Sequence, residues 1–123
     1  MPSILVADDS ISQRELIAGL LSENGFSVAT ATNGAEALEK LKSLIPDLII
    51  LDVVMPELNG YQTCRSIKSD PKTEHIPVIL CSTKNTQVDH YWGLKQGADA
   101  YIVKPFPASE LLGTIKQLLR SSS

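Results

Sequence analysis

Two short apolar runs that end on acids constrain this chain more than any other feature. Ile4-Leu5-Val6-Ala7 and Leu48-Ile49-Ile50-Leu51 are continuous rather than alternating, the pattern of strands buried on both faces of a sheet. The first stops at Asp8-Asp9 and the second at Asp52. An acid that directly extends an apolar strand is costly unless it is partnered, so the rest of the sequence must supply what balances these three.

Between and after these runs the pattern alternates strand and helix. From Ser10 to Asn24, Leu16, Ile17, Leu20 and Leu21 recur at helical spacing, with Ser10 and Gln13 placed as a capping box and Gly25 as a stop. Phe26 to Ala31 reads as a second strand. Asn33, with Glu36 three residues on, opens a helix that turns Ala37, Leu38, Leu41, Leu44 and Ile45 inward and is closed by Pro46. Met55 to Gly60 is a loop, followed by a helix with Tyr61, Cys64 and Ile67 inward that stops before Asp70-Pro71. Pro77 begins a fourth strand that reaches Ser82-Thr83. Thr86 caps a helix bearing Val88, Tyr91 and Trp92, with Gly97 past its end; Ala100 to Val103 is a fifth strand, ending at Lys104-Pro105. Leu111, Leu112, Ile115, Leu118 and Leu119 form the stripe of the last helix. Five strands alternating with five helices predict an α/β fold, a mostly parallel sheet with helices on both faces. One domain over 1–120 with a frayed tail over 121–123 accounts for all 123 residues.

In open parallel sheets, ligands bind outside the carboxyl ends of the strands. Those ends carry Asp8 and Asp9, then Thr30 to Thr32, Asp52, Ser82 with Thr83, and Lys104. If strands one and three are neighbours, as in the order 2-1-3-4-5, the three acids crowd together and repel one another unless a cation intervenes. Ligands that are all oxygen favour Mg²⁺ over zinc, which prefers the His or Cys this edge lacks. An incoming phosphoryl group would meet the metal, the Lys104 ammonium and the Ser82 hydroxyl. Asp52, at the centre, is the natural nucleophile for an aspartyl phosphate.

Asp8-Asp9-Ser10, Asp52-Val53-Val54-Met55-Pro56 with Asn59-Gly60, Ser82, Tyr101 and Lys104-Pro105-Phe106 resemble the receiver domain of two-component response regulators, the CheY-like branch of the flavodoxin-like folds. The resemblance covers nearly the whole chain and implies the 2-1-3-4-5 order. It implies that Asp52 accepts phosphate from a histidine kinase or phosphotransfer protein. Asp9, Asp52 and the Val54 carbonyl would ligate Mg²⁺, with Asp8 acting through water. Ser82 and Lys104 would contact the phosphoryl group, Tyr101 would follow the Ser82 hydroxyl, and the Lys104–Pro105 bond would be cis. Output would pass to a protein target through the face of the fourth helix, fifth strand and fifth helix, with the chain a monomer or weak dimer. The stretches Ser82-Thr83-Lys84 and Trp92 to Ala98 are most similar to stand-alone receivers of twitching-motility and phototaxis systems, the PilH and PixH type.

Simpler readings exist for each residue. Asp8 and Asp9 are also good helix-capping acids, Lys104 a good surface lysine and Ser82 an ordinary turn residue; their joint placement argues for chemistry. Tyr91 and Trp92 read first as core or face-packing residues, with a docking anchor as the rival. His75 and His90 read as surface residues, and Cys64 and Cys81 as small half-buried hydrophobes. A flavin-binding relative would need a hydroxyl- or glycine-rich phosphate loop where two acids stand. A haloacid-dehalogenase phosphatase would need an acid at Val54. An interaction module without phosphorylation would not need the acid, hydroxyl and lysine set, and a receiver cut from a longer regulator would keep it. Eleven Lys plus Arg against 14 Asp plus Glu, a net charge of −3 and no basic run disfavour nucleic acid and anionic membranes. The amino terminus lacks a basic segment and the longest apolar stretch, Leu48 to Pro56, is broken by Asp52, so a cytoplasmic protein without membrane insertion is expected. Because the sequence stops after the fifth helix, output through a partner surface is expected.

Overall fold

The computed structural model describes residues 2–84 and 86–121. Five strands, β1 (Ser3–Ala7), β2 (Ser27–Ala31), β3 (Leu48–Asp52), β4 (Val78–Ser82) and β5 (Ala100–Val103), alternate with helices α1 (Ile11–Glu23), α2 (Gly34–Lys40), α3 (Gly60–Ser69), α4 (Gln87–Lys95) and α5 (Ala108–Ser121). The strands form one parallel sheet in the order β2-β1-β3-β4-β5.

The apolar runs behave as two-faced strands should. Leu5, Ala7, Ile49, Leu51, Val78 and Leu80 enter one core with α2 and α3, contributed by Ala37, Cys64 and Ile67. The alternate residues Ile4, Val6, Leu48, Ile50, Ile79 and Cys81 enter the other, against Ile17 and Leu21 of α1 and Leu111 and Ile115 of α5. The period of two thus splits each run between two helical layers. Cys64 and Cys81 are fully rather than half buried, and burial pushes their thiols up to about 11 and about 12, which keeps them unreactive.

Helix starts follow the capping residues, with one rearrangement. The Ser10 hydroxyl accepts from the Gln13 N–H, but the Gln13 side chain does not close the box; the Ser10 N–H donates to Asp8 Oδ1 at 2.9 Å instead. Asn33 caps α2 and Thr86 caps α4. Asn59 and Gln62 form a full capping box on α3.

Three further expectations about burial fail. Leu16 is 65% exposed, because the α1 stripe that meets the sheet is Ile17 and Leu21, with Leu20 at its margin. Helix α2 ends at Lys40, short of Pro46, and gives way to turns, so helical spacing no longer aims Ile45 inward and it is 52% exposed. On α4, Tyr91 and Trp92 face outward, and Gly93 is the buried residue of the helix. Helix α5 extends through Ser121, whose hydroxyl donates to the Gln117 carbonyl at 3.0 Å. The remainder of the expected tail, 122–123, lies outside the described residues.

Gly60 sets the approach of α3 to the sheet edge. A Cβ there would stand 2.4 Å from the Asp52 carbonyl oxygen and 2.8 Å from Val53 Cα, both backbone atoms that cannot swing away. Gly113, within α5, has nothing within 4 Å of that position. In urea unfolding, Gly60→Ala should lose about 2 kcal/mol or more by forced displacement, whereas Gly113→Ala should gain about 0.5–1 kcal/mol from helix propensity.

Candidate functional site

Parallel register carries the acids to one edge. Pairing of Ala7 with Leu51 places the end of β1 beside the end of β3, and pairing of Asp52 with Cys81 and of Ser82 with Val103 brings in β4 and β5. One carboxylate oxygen from each of Asp8, Asp9 and Asp52 falls within 4.8 Å of the others. Asp8 is buried, Asp52 partly buried and Asp9 exposed.

Lys104 supplies the countercharge. Its Nζ donates to Asp8 Oδ2 at 2.9 Å and to Asp52 Oδ1 at 3.3 Å. With Asp8 Oδ1 accepting from the Ser10 N–H, both oxygens of this buried carboxylate are satisfied, which is what makes its burial tolerable. The Lys104 N–H donates to the Ser82 carbonyl at 2.8 Å, so the backbone of β4 aims the lysine, and the Lys104–Pro105 peptide bond is cis.

The electrostatics separate the partners. Burial pushes the Asp52 carboxyl above its ordinary value; Asp8 and Asp9 add to this and Lys104 opposes it. Burial works against the charge of Lys104, but the hydrogen bond to Asp8 and the fields of Asp52 and Asp8 outweigh it and hold the ammonium above its ordinary value. A cavity of about 430 Å³ opens over this edge, lined among others by Asp52, Val54, Ser82, Thr83, Lys104 and Phe106. Val54 presents its side chain there, 56% exposed.

Ser82 is buried, and its hydroxyl accepts from the Lys84 N–H at 3.1 Å. The Lys84 carbonyl in turn accepts from the Tyr101 hydroxyl at 3.0 Å, and the Tyr101 hydroxyl neighbours that of Tyr61. Burial, with Tyr101 beside it, raises the Tyr61 hydroxyl well above its ordinary value. Tyr61 Oη donates to the Asp89 carbonyl on α4 at 3.3 Å. A chain of hydroxyls and carbonyls therefore leads from Ser82 to the start of α4.

Some participants are invisible to pattern reading. Arg14 Nη1 donates to the Asp8 carbonyl at 2.8 Å and pins the turn that aims the first two acids; six residues separate the pair in the chain, and no motif marks it. Gly93 leaves the space that Tyr101 occupies, since a Cβ would stand 2.8 Å from Tyr101 Cδ2. A lone glycine inside a helical pattern was the available signal. His90 is not a bare surface residue: its ring lies 4.4 Å from that of Tyr101. His75 is exposed.

This fold and this acid edge define the receiver class of signalling modules, and the chain belongs to it: the response regulator receiver domain family matches residues 4–116. PilH of Pseudomonas aeruginosa is 38% identical over 97% of this chain and 98% of PilH. The chain spans about half the length of the curated transcriptional regulators it also matches. The signal receiver domain of a histidine kinase from Syntrophus aciditrophicus superposes with a TM-score of 0.93 at 39% identity, covering 98% of this chain and 92% of that one. The receiver domain of the sensor kinase PA1611 from Pseudomonas aeruginosa, crystallised with a magnesium ion coordinated in its active-site cleft, gives a TM-score of 0.90 at 25% identity, over 97% of this chain and 98% of that one. Receiver domains work with histidine kinases or phosphotransfer proteins and bind Mg²⁺ in their acidic site. Among the described residues no helix is long and apolar enough to cross a membrane.

The raised Asp52 value has a consequence for stability. Folded Asp52 holds its proton to higher pH than unfolded Asp52, so its cost to folding is absent below the unfolded value of 3.8 and grows as pH rises through the folded one. With EDTA present, Asp52→Asn should therefore raise Tm near neutral pH. That advantage should vanish at low pH in a calorimetric pH series.

Proposed function

We propose that this receiver takes a phosphoryl group onto Asp52 from a phosphohistidine of a histidine kinase or phosphotransfer protein, and that the modified state changes which protein it binds. A bond forms between an Asp52 oxygen and phosphorus, the bond from phosphorus to the donor imidazole nitrogen breaks, and that nitrogen recovers a proton. The observation that carries this reading is the Lys104 ammonium at 3.3 Å from Asp52 and 2.9 Å from Asp8, inside a cluster of three carboxylates.

The donor set suits a hard cation, being all oxygen. Asp9, Asp52 and the Val54 carbonyl would hold Mg²⁺, with Asp8 contributing through water, and the ion would neutralise charge on the transferring group. Lys104, released by the incoming phosphoryl oxygens from its contact with Asp52, binds one of them, and the Ser82 hydroxyl donates to another. Movement of Ser82 loosens its contact with Lys84, and Tyr101, held by the Lys84 carbonyl, shifts with it, biasing the face of α4, β5 and α5. The likeness to PilH supports a place in surface motility, and two-component chemistry supports a cytoplasmic site of action. The same chemistry serves a chain acting alone or within a longer regulator.

Incubation with acetyl phosphate and Mg²⁺ should add the mass of one phosphoryl group, located at Asp52 by borohydride reduction and peptide sequencing. Asp52→Asn or EDTA should abolish the addition; labelling elsewhere, or labelling indifferent to Mg²⁺, would refute the reading.

Val54 sets the expected lifetime. Its exposed isopropyl group lines the cavity beside Asp52 and offers no hydrogen bond to orient a hydrolytic water. Val54→Asn should shorten the half-life of the phosphorylated form several-fold, read by loss of the phosphoryl mass with Mg²⁺ present.

A further inference from the structure

A groove of about 380 Å³ runs between α3 and α4, lined by Leu58, Tyr61, Arg65, Trp92 and Gln96 among others. None of Asp8, Asp9, Asp52 or Lys104 lines it. Its two chemical features are fixed before anything binds. Trp92 is 46% exposed, a large indole that lines the groove and belongs to neither core cluster. Arg65 is exposed, yet its Nε donates to Gln96 Oε1 at 2.8 Å.

The residue that carries this acceptor is buried and held through its backbone. Gln96 is buried, its N–H caps α4 on the Trp92 and Gly93 carbonyls, and its own carbonyl accepts from the Cys64 thiol at 3.6 Å. The guanidinium is therefore aimed, and its two Nη groups have no acceptor among the described residues. Arginine held in this way loses little freedom on forming a forked pair with a carboxylate.

Charge narrows the occupant. Among the described residues Arg65 is the only charged side chain lining the groove, and a second cation lies close by, with Lys95 Nζ 5.5 Å from the centre of the Tyr91 ring and 5.7 Å from that of Trp92. This positive groove lies on a chain of net charge −3, which repels nucleic acid at long range. A single aimed guanidinium beside an indole suits one carboxylate with an apolar neighbour, and Arg and Trp are the residue types that dominate protein-binding hot spots. The volume accommodates one or two side chains, not a domain.

We propose that the α3–α4 groove is a docking site for a partner protein segment that carries Asp or Glu next to an aromatic or aliphatic side chain. It shares α4 with the face of α4, β5 and α5 invoked above, but none of its lining residues comes from β5 or α5. The wall residue Tyr61 is the last hydroxyl of the chain that starts at Ser82.

The test is a selection of displayed random linear peptides on the unphosphorylated full chain, so its result does not depend on the phosphoacceptor reading. Enriched peptides should contain an acid adjacent to an apolar residue and, in NMR titration, should move the Trp92 indole N–H and the Gln96 side-chain amide. Arg65→Glu and Trp92→Ala should each weaken binding about tenfold or more, while Arg65→Lys keeps part of it. Acetyl phosphate labelling and thermal melts of Arg65→Glu should match wild type, which establishes that fold and acid site are intact. Failure to enrich acidic peptides, equal binding by Arg65→Glu, shifts confined to Tyr91 and Leu94, or a Trp92-dependent dimer in sedimentation equilibrium would each overturn the proposal.

Discussion

The ammonium of Lys104, shared between Asp8 and Asp52, is the contact that lets an acidic edge sit on an apolar sheet. Asp8 is nearly inaccessible and Asp52 has only a small exposed fraction, so neither carboxylate can rely on water for its solvation. Lys104 directly follows β5, Asp8 directly follows β1 and Asp52 ends β3, so the ion pairs join elements far apart in the chain. They become close only when the sheet is fully formed. The site is thus a product of the whole sheet, and it is poised, because an ammonium held by two carboxylates can exchange one of them for another anion.

Packing around α4 follows a different rule. Most surface helices bury large apolar side chains and expose polar ones. Helix α4 instead buries Gly93, which lets Tyr101 approach, and exposes Val88, Tyr91, Trp92 and Leu94. Little apolar burial holds this helix to the sheet, and hydroxyl and ring contacts from Tyr61, Tyr101 and His90 take over. Contacts of that kind are easier to remake than a packed core, which fits a helix that lies at the end of the Ser82 hydroxyl chain.

How much was legible depends on whether the signal is local. The strands, their acid endings and the caps at Ser10, Asn33 and Thr86 could be read because an apolar run or a capping side chain acts over a few residues. The outward turn of Leu16 and Ile45 could not, since both are apolar residues at acceptable spacing and only the neighbours decide which face is covered. Tyr91 and Trp92 misled for the same reason: aromatic residues at helical spacing look like core until Gly93 is seen to be the contact. Arg14 on the Asp8 carbonyl and Arg65 on Gln96 were beyond reach, because side-chain pairs across loops and helices leave no periodic trace.

By itself the sequence determined the alternation of elements, the double burial of the central strands and the acids that terminate them, because backbone periodicity and solvation cost act residue by residue. Tertiary structure decided the rest. Parallel register brought Asp8, Asp9 and Asp52 together at one edge and placed Lys104 among them. Close helix packing, permitted by glycine at position 93, let Tyr101 pack against the core while Tyr91 and Trp92 stay exposed. Those outcomes rest on distances between residues remote in the chain, and such distances are set only when the layers close.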